Sequence, residues 1–291
     1  MAHREHHMID AGGARLHVVT EGQGPLVLLL HGFPEFWFSW RHQMGALAAA
    51  GFRAAAPDLR GYGRSEKPRG VGAYRLEALA ADVAGLIRAL GGGPATVVGH
   101  DWGGAVAWHA AARYPALVER LVVMNGPAQG AMLRAFLSPR QIGRSWYIFF
   151  FQLPRLPERM VLREGFMRQL FRANLADPDA IPEHELNLFD AALHEPGAAT
   201  AAINYYRAAI RHPLIGAHPV ACPTLIVWGA RDRALGPEVL AAITPLAPRR
   251  TVHVLEDAGH FVHEERPHQV NRLLLDFLGA EARTAATAPT A

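Results

Sequence analysis

A succession of short, almost uninterrupted apolar runs is the feature that most restricts the fold. "PLVLLLHG" (Pro25 to Gly32), "FRAAAPDL", "ATVVGH", "VERLVVM" and "PTLIVWG" follow one another along the chain. A run of this length without polar alternation reads as a β-strand buried on both faces. Helical segments lie between these runs. "SWRHQMGALAAAG" closes on Gly51, "RLEALAADVAGLIRALGG" has apolar residues at helical spacing, and "GGAVAWHAAARYP" stops before Pro115. Strand and helix in alternation predict an α/β fold, a mostly parallel sheet flanked by helices. Ahead of it, "MIDAGGARLHVVTEG" reads as two strands around a glycine turn.

The alternation is interrupted once. Residues 127–218 are helical, aromatic and broken by prolines, with no convincing buried strand. After them it resumes with "PTLIVWG", a helix near "PEVLAAIT", the strand "RTVHVLE" and the helix "PHQVNRLLLDFLG". The expected organisation is a core from 1–126 and 219–279, a helical lid inserted at 127–218, and a disordered tail at 280–291, "AEARTAATAPTA", which lacks apolar periodicity. A chain of 291 residues, half of them apolar, is long enough for one large core with such an insertion.

The net charge is only +3, and the arginines are scattered without a basic run, so no nucleic-acid or anionic-membrane surface is expected. Lys67 is the only lysine, and the enrichment in arginine and alanine fits a GC-rich bacterial genome. The only cysteine, Cys222, leaves no intrachain disulfide and reads as a small buried apolar residue. No secretory signal opens the chain, and "WYIFFF" is too short to span a bilayer, so a soluble cytoplasmic protein is expected. The initial "HREHH" reads as a flexible polar end, and "HEERPH", from His263, as a solvated loop and helix start. Nothing has metal-ligand spacing with supporting partners, so neither metal nor cofactor is expected.

The chemistry begins in "TVVGHDWGGAVAWHAA", where a strand climbs to Gly99 and a helix follows Gly103-Gly104. This resembles the nucleophile elbow of the α/β-hydrolase fold, with Asp101 where serine is usual. An aspartate capping an ordinary helix is the plain alternative. Two further segments weigh against that alternative. Asp232 lies in the loop after "LIVWG", and His260 follows Gly259 after the last strand. Nucleophile, acid, histidine is the chain order of α/β-hydrolases, each after a strand at the carboxyl edge of the sheet. The backbone N–H groups of Phe33, in "HGFPE", and of Trp102 are expected to form an oxyanion hole. "PDLRGYGRSEKP" is read as structural.

Together "HGFPE", "DLRGYGRS", "GHDWGG", "WGARD" and "GHF" resemble the epoxide hydrolase family of α/β-hydrolases over nearly the whole chain. That resemblance implies two lid tyrosines. One is Tyr206, in "NYYRA", in preference to Tyr205. The other is Tyr147, five residues before Gln152 in "WYIFFFQLP". Aromatic packing within the lid is the plainer alternative for both. Phe33, Trp102, Trp146 and Phe150 are expected to line an apolar pocket.

An aspartate suits displacement at a saturated carbon. Serine would leave an ether that water cannot cleave, whereas a carboxylate leaves an ester. His260 is then free to activate water against that ester, oriented by Asp232. An epoxide opens to an alkoxide, which phenols can protonate. Haloalkane dehalogenases share Asp101-Trp102 but use weak N–H donors, commonly an Asn where Phe33 stands, or a lid Trp such as Trp146. Fluoroacetate dehalogenases place arginine after the nucleophile, where this chain has Trp102. A small-molecule receptor on the same fold is the non-enzymatic alternative, and the intact set of acid, base and tyrosines weighs against it. The expected function is therefore an epoxide hydrolase acting on a small apolar epoxide and water. A homodimer is compatible with the sequence, which does not decide the oligomeric state.

Overall fold

The computed structural model describes residues 4–213 and 218–279. Its centre is an eight-stranded sheet in the order β1-β2-β4-β3-β5-β6-β7-β8. The strands are β1 (Glu5–Asp10), β2 (Arg15–Glu21), β3 (Leu26–Leu30), β4 (Arg53–Pro57), β5 (Ala95–His100), β6 (Val118–Met124), β7 (Thr224–Gly229) and β8 (Arg250–Leu255). β2 runs antiparallel to β1 and β4, and every pairing from β4 to β8 is parallel.

The uninterrupted apolar runs have a direct structural cause. Successive side chains of a strand point to opposite faces, and here both faces are covered. Leu28, Leu30, Val97, Leu121 and Val123 pack into one hydrophobic layer, while Val27, Leu29, Val98, Val122 and Met124 pack into another. The first layer is completed by α2 (Leu76–Leu90) and α3 (Trp102–Arg113), the second by α1 (Arg41–Ala49) and by the last helix. Two expectations change at the edges. "HREHH" is no free end, because β1 starts at Glu5 and pairs with β2 along its whole length. Cys222 is half-buried against the first layer.

Between β6 and β7 the described residues form helices and no strand. These are α4 (Gln129–Ala135), α5 (Pro139–Arg144), α6 (Trp146–Phe150), α7 (Leu156–Val161), α8 (Phe166–Asn174), α9 (Glu183–His194) and α10 (Ala198–Arg211). After β7 come α11 (Pro237–Ile243), α12 (Val262–Glu265) and α13 (Pro267–Leu278). Residues 280–291, expected as an unpacked tail, lie outside the described residues.

The strand order positions the site. After β3 the chain adds β4 on one side and β5 on the other, so the loops leaving β3 and β5 diverge from adjacent strand ends. Leu30 pairs with Gly99 there. Such a switch point opens a crevice at the carboxyl edge of a sheet. The approach is very close: a Cβ on Gly103, in the first turn of α3, would lie 2.0 Å from the Leu30 carbonyl oxygen. Gly103→Ala should therefore cost about 3 kcal/mol or more by forcing the strand end away. Gly45→Ala in α1, where the nearest atom is Glu21 Oε1 at 4.0 Å, should instead gain about 0.5–1 kcal/mol. Denaturant midpoints measure both, and equal shifts would contradict the close approach.

Candidate active site

Asp101 stands at the turn from β5 into α3 with φ 49° and ψ −117°. A positive φ is strained for a side chain other than glycine and persists only where the surroundings enforce it. Its side chain makes no capping hydrogen bond to the helix it precedes, which removes the plain N-cap alternative. Instead Oδ1 accepts the Phe33 N–H at 2.9 Å. This contact needs Gly32 bare, because a Cβ there would sit 2.4 Å from the Asp101 Cβ. The other oxygen, Oδ2, faces His260 Nε2 at 3.8 Å. Burial pushes the Asp101 carboxyl above its ordinary value, and the charges of His260 and His100 with the N–H groups of Phe33 and Trp102 oppose that rise.

On its far side, His260 Nδ1 donates to Asp232 Oδ2 at 2.8 Å. Asp232 also accepts from Asn125 Nδ2 at 2.6 Å and, through Oδ1, from the N–H groups of Ala234 and Leu235 at 2.7 and 2.8 Å. Burial would push the Asp232 carboxyl up, but the His260 charge and these hydrogen bonds hold it below its ordinary value. Burial would lower His260, yet Asp232, then Asp101 and Glu35, raise it to about 9. The two carboxylates that flank His260 favour its imidazolium form.

The tyrosines lie over this triad. Tyr206, on α10, is almost fully buried against Phe33, Trp102 and Phe151, with ring centroids 5.5, 5.1 and 4.9 Å away. Tyr147, on α6, packs edge-on to it at 5.7 Å. Burial, and then the nearby Asp101 charge, push both phenols up, so both keep their protons at neutral pH. Gln152 Nε2 donates to the Ile148 and Tyr206 carbonyls at 2.9 and 3.3 Å and ties the end of α6 to α10. Tyr205 is turned elsewhere, its hydroxyl donating to the Arg60 carbonyl at 2.7 Å.

Two cavities meet at Asp101, Tyr147 and Tyr206. The larger, about 590 Å³, also takes in Phe33, Trp146, Phe151 and His260, and the smaller takes in Trp102 and Ile148. Phe150 is the one expected lining residue that neither cavity includes. It packs against Trp146 and Phe151, at 6.0 and 6.1 Å. The reason is helical phase: Tyr147 in α6 and Phe151 just past its end face inward, four residues apart, and Phe150 lies about 100° away from Phe151. Trp146 is 58% exposed and lies at the rim.

Sequence reasoning missed the support beneath His260. "HEERPH" is not solvated, since His263, Glu264 and Glu265 are all buried. Arg41 Nη1 donates to Glu264 at 2.6 Å. Glu265 accepts the N–H groups of Gly259 and Ala176 at 2.9 and 2.6 Å, fixing the loop that carries His260. Next to it, Glu35, His100 and His263 form a buried cluster with ligand-type atoms within 4.8 Å of one another. His100 Nε2 donates to the His260 carbonyl at 2.9 Å, and its Nδ1 meets Glu35 at 2.7 Å. Burial would raise Glu35, but His100 and His263 hold it well below its ordinary range. Burial pushes His263 down to about 4. Asn125 was also missed; its position at the end of β6, among strand ends that carry Asp101 and Asp232, is the signal that pointed to it.

Comparison with known proteins agrees with this geometry. The sequence pattern of the alpha/beta hydrolase fold matches residues 25–267. The chain is 39% identical over 277 residues to the AB hydrolase superfamily protein YfhM of Bacillus subtilis, covering 93% of this chain and 96% of that one. It is 33% identical to Epoxide hydrolase A of Mycobacterium tuberculosis, covering 95% and 98%. An epoxide hydrolase structure from an endophytic Streptomyces superposes with a TM-score of 0.84 at 32% identity, covering 96% of each chain. Among the described residues no helix is long and apolar enough to cross a membrane.

The elevated His260 leads to a measurable expectation. Its imidazole, identified by its loss in His260→Gln, should titrate near 9 in NMR spectra of the free protein. In Asp101→Asn it should titrate lower, because one of the carboxylates that raise it is gone. Titration near 6.5 in both proteins would contradict the pairing.

Proposed function

The chain belongs to the epoxide hydrolases of the alpha/beta hydrolase fold, and on that footing we propose that it opens apolar epoxides to vicinal diols through a covalent ester on Asp101. The observation that carries this reading is the pair of phenols, Tyr147 and Tyr206, bordering the same cavities as the Asp101 carboxylate. An epoxide seated between them has its ring oxygen towards the phenols and a ring carbon towards Asp101.

Asp101 attacks that carbon, the C–O bond breaks, and a phenol supplies the proton that the ring oxygen needs. Forming the ester removes the Asp101 charge, one of the causes that raise His260. The imidazolium then gives up its proton readily, and that proton restores the phenol. His260, now neutral and still oriented by Asp232, takes a proton from water as the oxygen attacks the ester carbonyl. The N–H groups of Phe33 and Trp102 stabilise the oxyanion. As the tetrahedral species collapses, the departing alkoxide takes the proton left on the oxygen that came from water, which releases the diol and returns the carboxylate facing a protonated His260, the resting state. The helices between β6 and β7 serve as the lid, bringing Tyr147 and Tyr206 over the sheet edge and limiting access of water.

Styrene oxide added to His260→Gln should give protein heavier by one substrate mass, with the adduct on the peptide containing Asp101. Adding Tyr206→Phe to that background should slow adduct formation at least about ten-fold. A His260→Gln protein that stays unmodified while the wild type forms diol would exclude the ester route.

A further inference from the structure

The first helices after β6 lack an ordinary polar exterior. Leu133, Leu137, Ile142, Trp146, Phe149 and Leu153 recur every three to five residues, and each is between 45% and 85% exposed. With Leu156 they make seven of the thirteen exposed large apolar side chains among the described residues. A surface helix normally turns its apolar stripe inward and carries polar residues outside. Here the inward stripe is already filled, since Ala131, Met132, Ala135 and Phe151 are buried, so the outer apolar residues are surplus to the core. Leu133 and Leu137 lie one turn apart along α4 and the residues that close it, and Trp146 and Phe149 lie one turn apart on α6. The rings of Phe136 and Phe149, 6.5 Å apart, join the two helices. Leu133 and the similarly exposed Ile210 also line the smaller cavity, and Trp146 lines the larger.

Exposed apolar side chains at this density mark a surface that meets another apolar phase. The charges around them choose the occupant. Residues 129–157 contain Arg134, Arg140, Arg144 and Arg155 and no acidic residue. Arg134, Arg140 and Arg155 are exposed, while Arg144 is half-buried beside Glu238 at 3.4 Å. A second copy docking two-fold through the same face would bring these arginines together, with no acid in the segment to meet them. An anionic lipid surface attracts them, and it takes up Trp, Phe and Leu side chains at the level of its headgroups. We propose that the outer face of residues 133–156 docks on an anionic bilayer surface, with Trp146 as its aromatic anchor and no segment crossing. This departs from the expectation drawn from arginines that stand four to eleven residues apart in the sequence; the exposed apolar residues between them are what changes it. Docking does not depend on the chemistry at Asp101, but it turns the cavity linings at Leu133 and Trp146 towards the phase into which apolar molecules partition.

Co-sedimentation of the full chain with lipid vesicles tests this. Vesicles of equal parts phosphatidylglycerol and phosphatidylcholine should bind the protein at least about ten-fold more tightly than phosphatidylcholine alone. Salt at 0.5 M should remove most of that difference. Leu137→Gln/Ile142→Gln and Arg134→Gln/Arg140→Gln should each weaken binding at least about five-fold, and Arg134→Lys/Arg140→Lys should keep it. Lipid brominated in its acyl chains should quench tryptophan fluorescence, and Trp146→Phe should lose most of that quenching while still sedimenting. A wild-type protein that stays in solution with the anionic vesicles would overturn the proposal. Binding that neither glutamine pair weakens would overturn its assignment to this face. A dimer in buffer that Leu137→Gln/Ile142→Gln abolishes, with no vesicle binding, would give the face to a second copy instead.

Discussion

A carboxylate buried at a strand end must be held from several sides at once, and the placement of Asp101 depends on where β3 and β5 end. Their adjacency brings the loop after β3 beside the turn after β5, which lets the Phe33 N–H reach Asp101. The same turn begins α3, so the backbone at Asp101 takes a left-handed conformation and its side chain faces outward from the sheet edge. His260 arrives from the loop after β8 and Asp232 from the loop after β7, and Asn125 at the end of β6 ties Asp232 into the same row of strand ends. The helices between β6 and β7 add Tyr147 and Tyr206 above them. None of these groups is close in sequence, and a shift of β3 relative to β5 would separate the Phe33 N–H from Asp101.

In the proposed mechanism, electrostatics sets the order of events. One proton shared among Asp101, His260 and Asp232 rests on His260 while both carboxylates are charged. Esterification of Asp101 removes one of the charges that favour the imidazolium and so turns the acid into the base that the second step needs. A single fixed network thus supplies opposite protonation states at successive stages without any residue moving far. Buried Glu35, His100 and His263 sit directly behind His260, so its proton balance is set in part by groups that never touch substrate.

Much of this was readable in the sequence, for identifiable reasons. The strands of a sheet covered on both faces leave continuous apolar runs, so β3, β4, β5, β6 and β7 stood out. The elbow was visible because close backbone approach demands glycine at fixed positions around Asp101. What local patterns cannot show is a partner far along the chain. Glu264 and Glu265 read as solvated because charged residues usually are, but Arg41 and the N–H groups of Gly259 and Ala176 bury them. Phe150 was assigned to the pocket in place of Phe151 because an aromatic run does not reveal the rotational phase of a short helix.

The origin of the diol's new oxygen separates attack by Asp101 from attack by activated water most directly. A single turnover with enzyme in excess over styrene oxide, in water enriched in heavy oxygen, reports it. An ester on Asp101 predicts an unlabelled first diol and heavy oxygen in the peptide containing Asp101, because water supplies only the atom that restores the carboxylate. A labelled first diol with unlabelled Asp101 would contradict it.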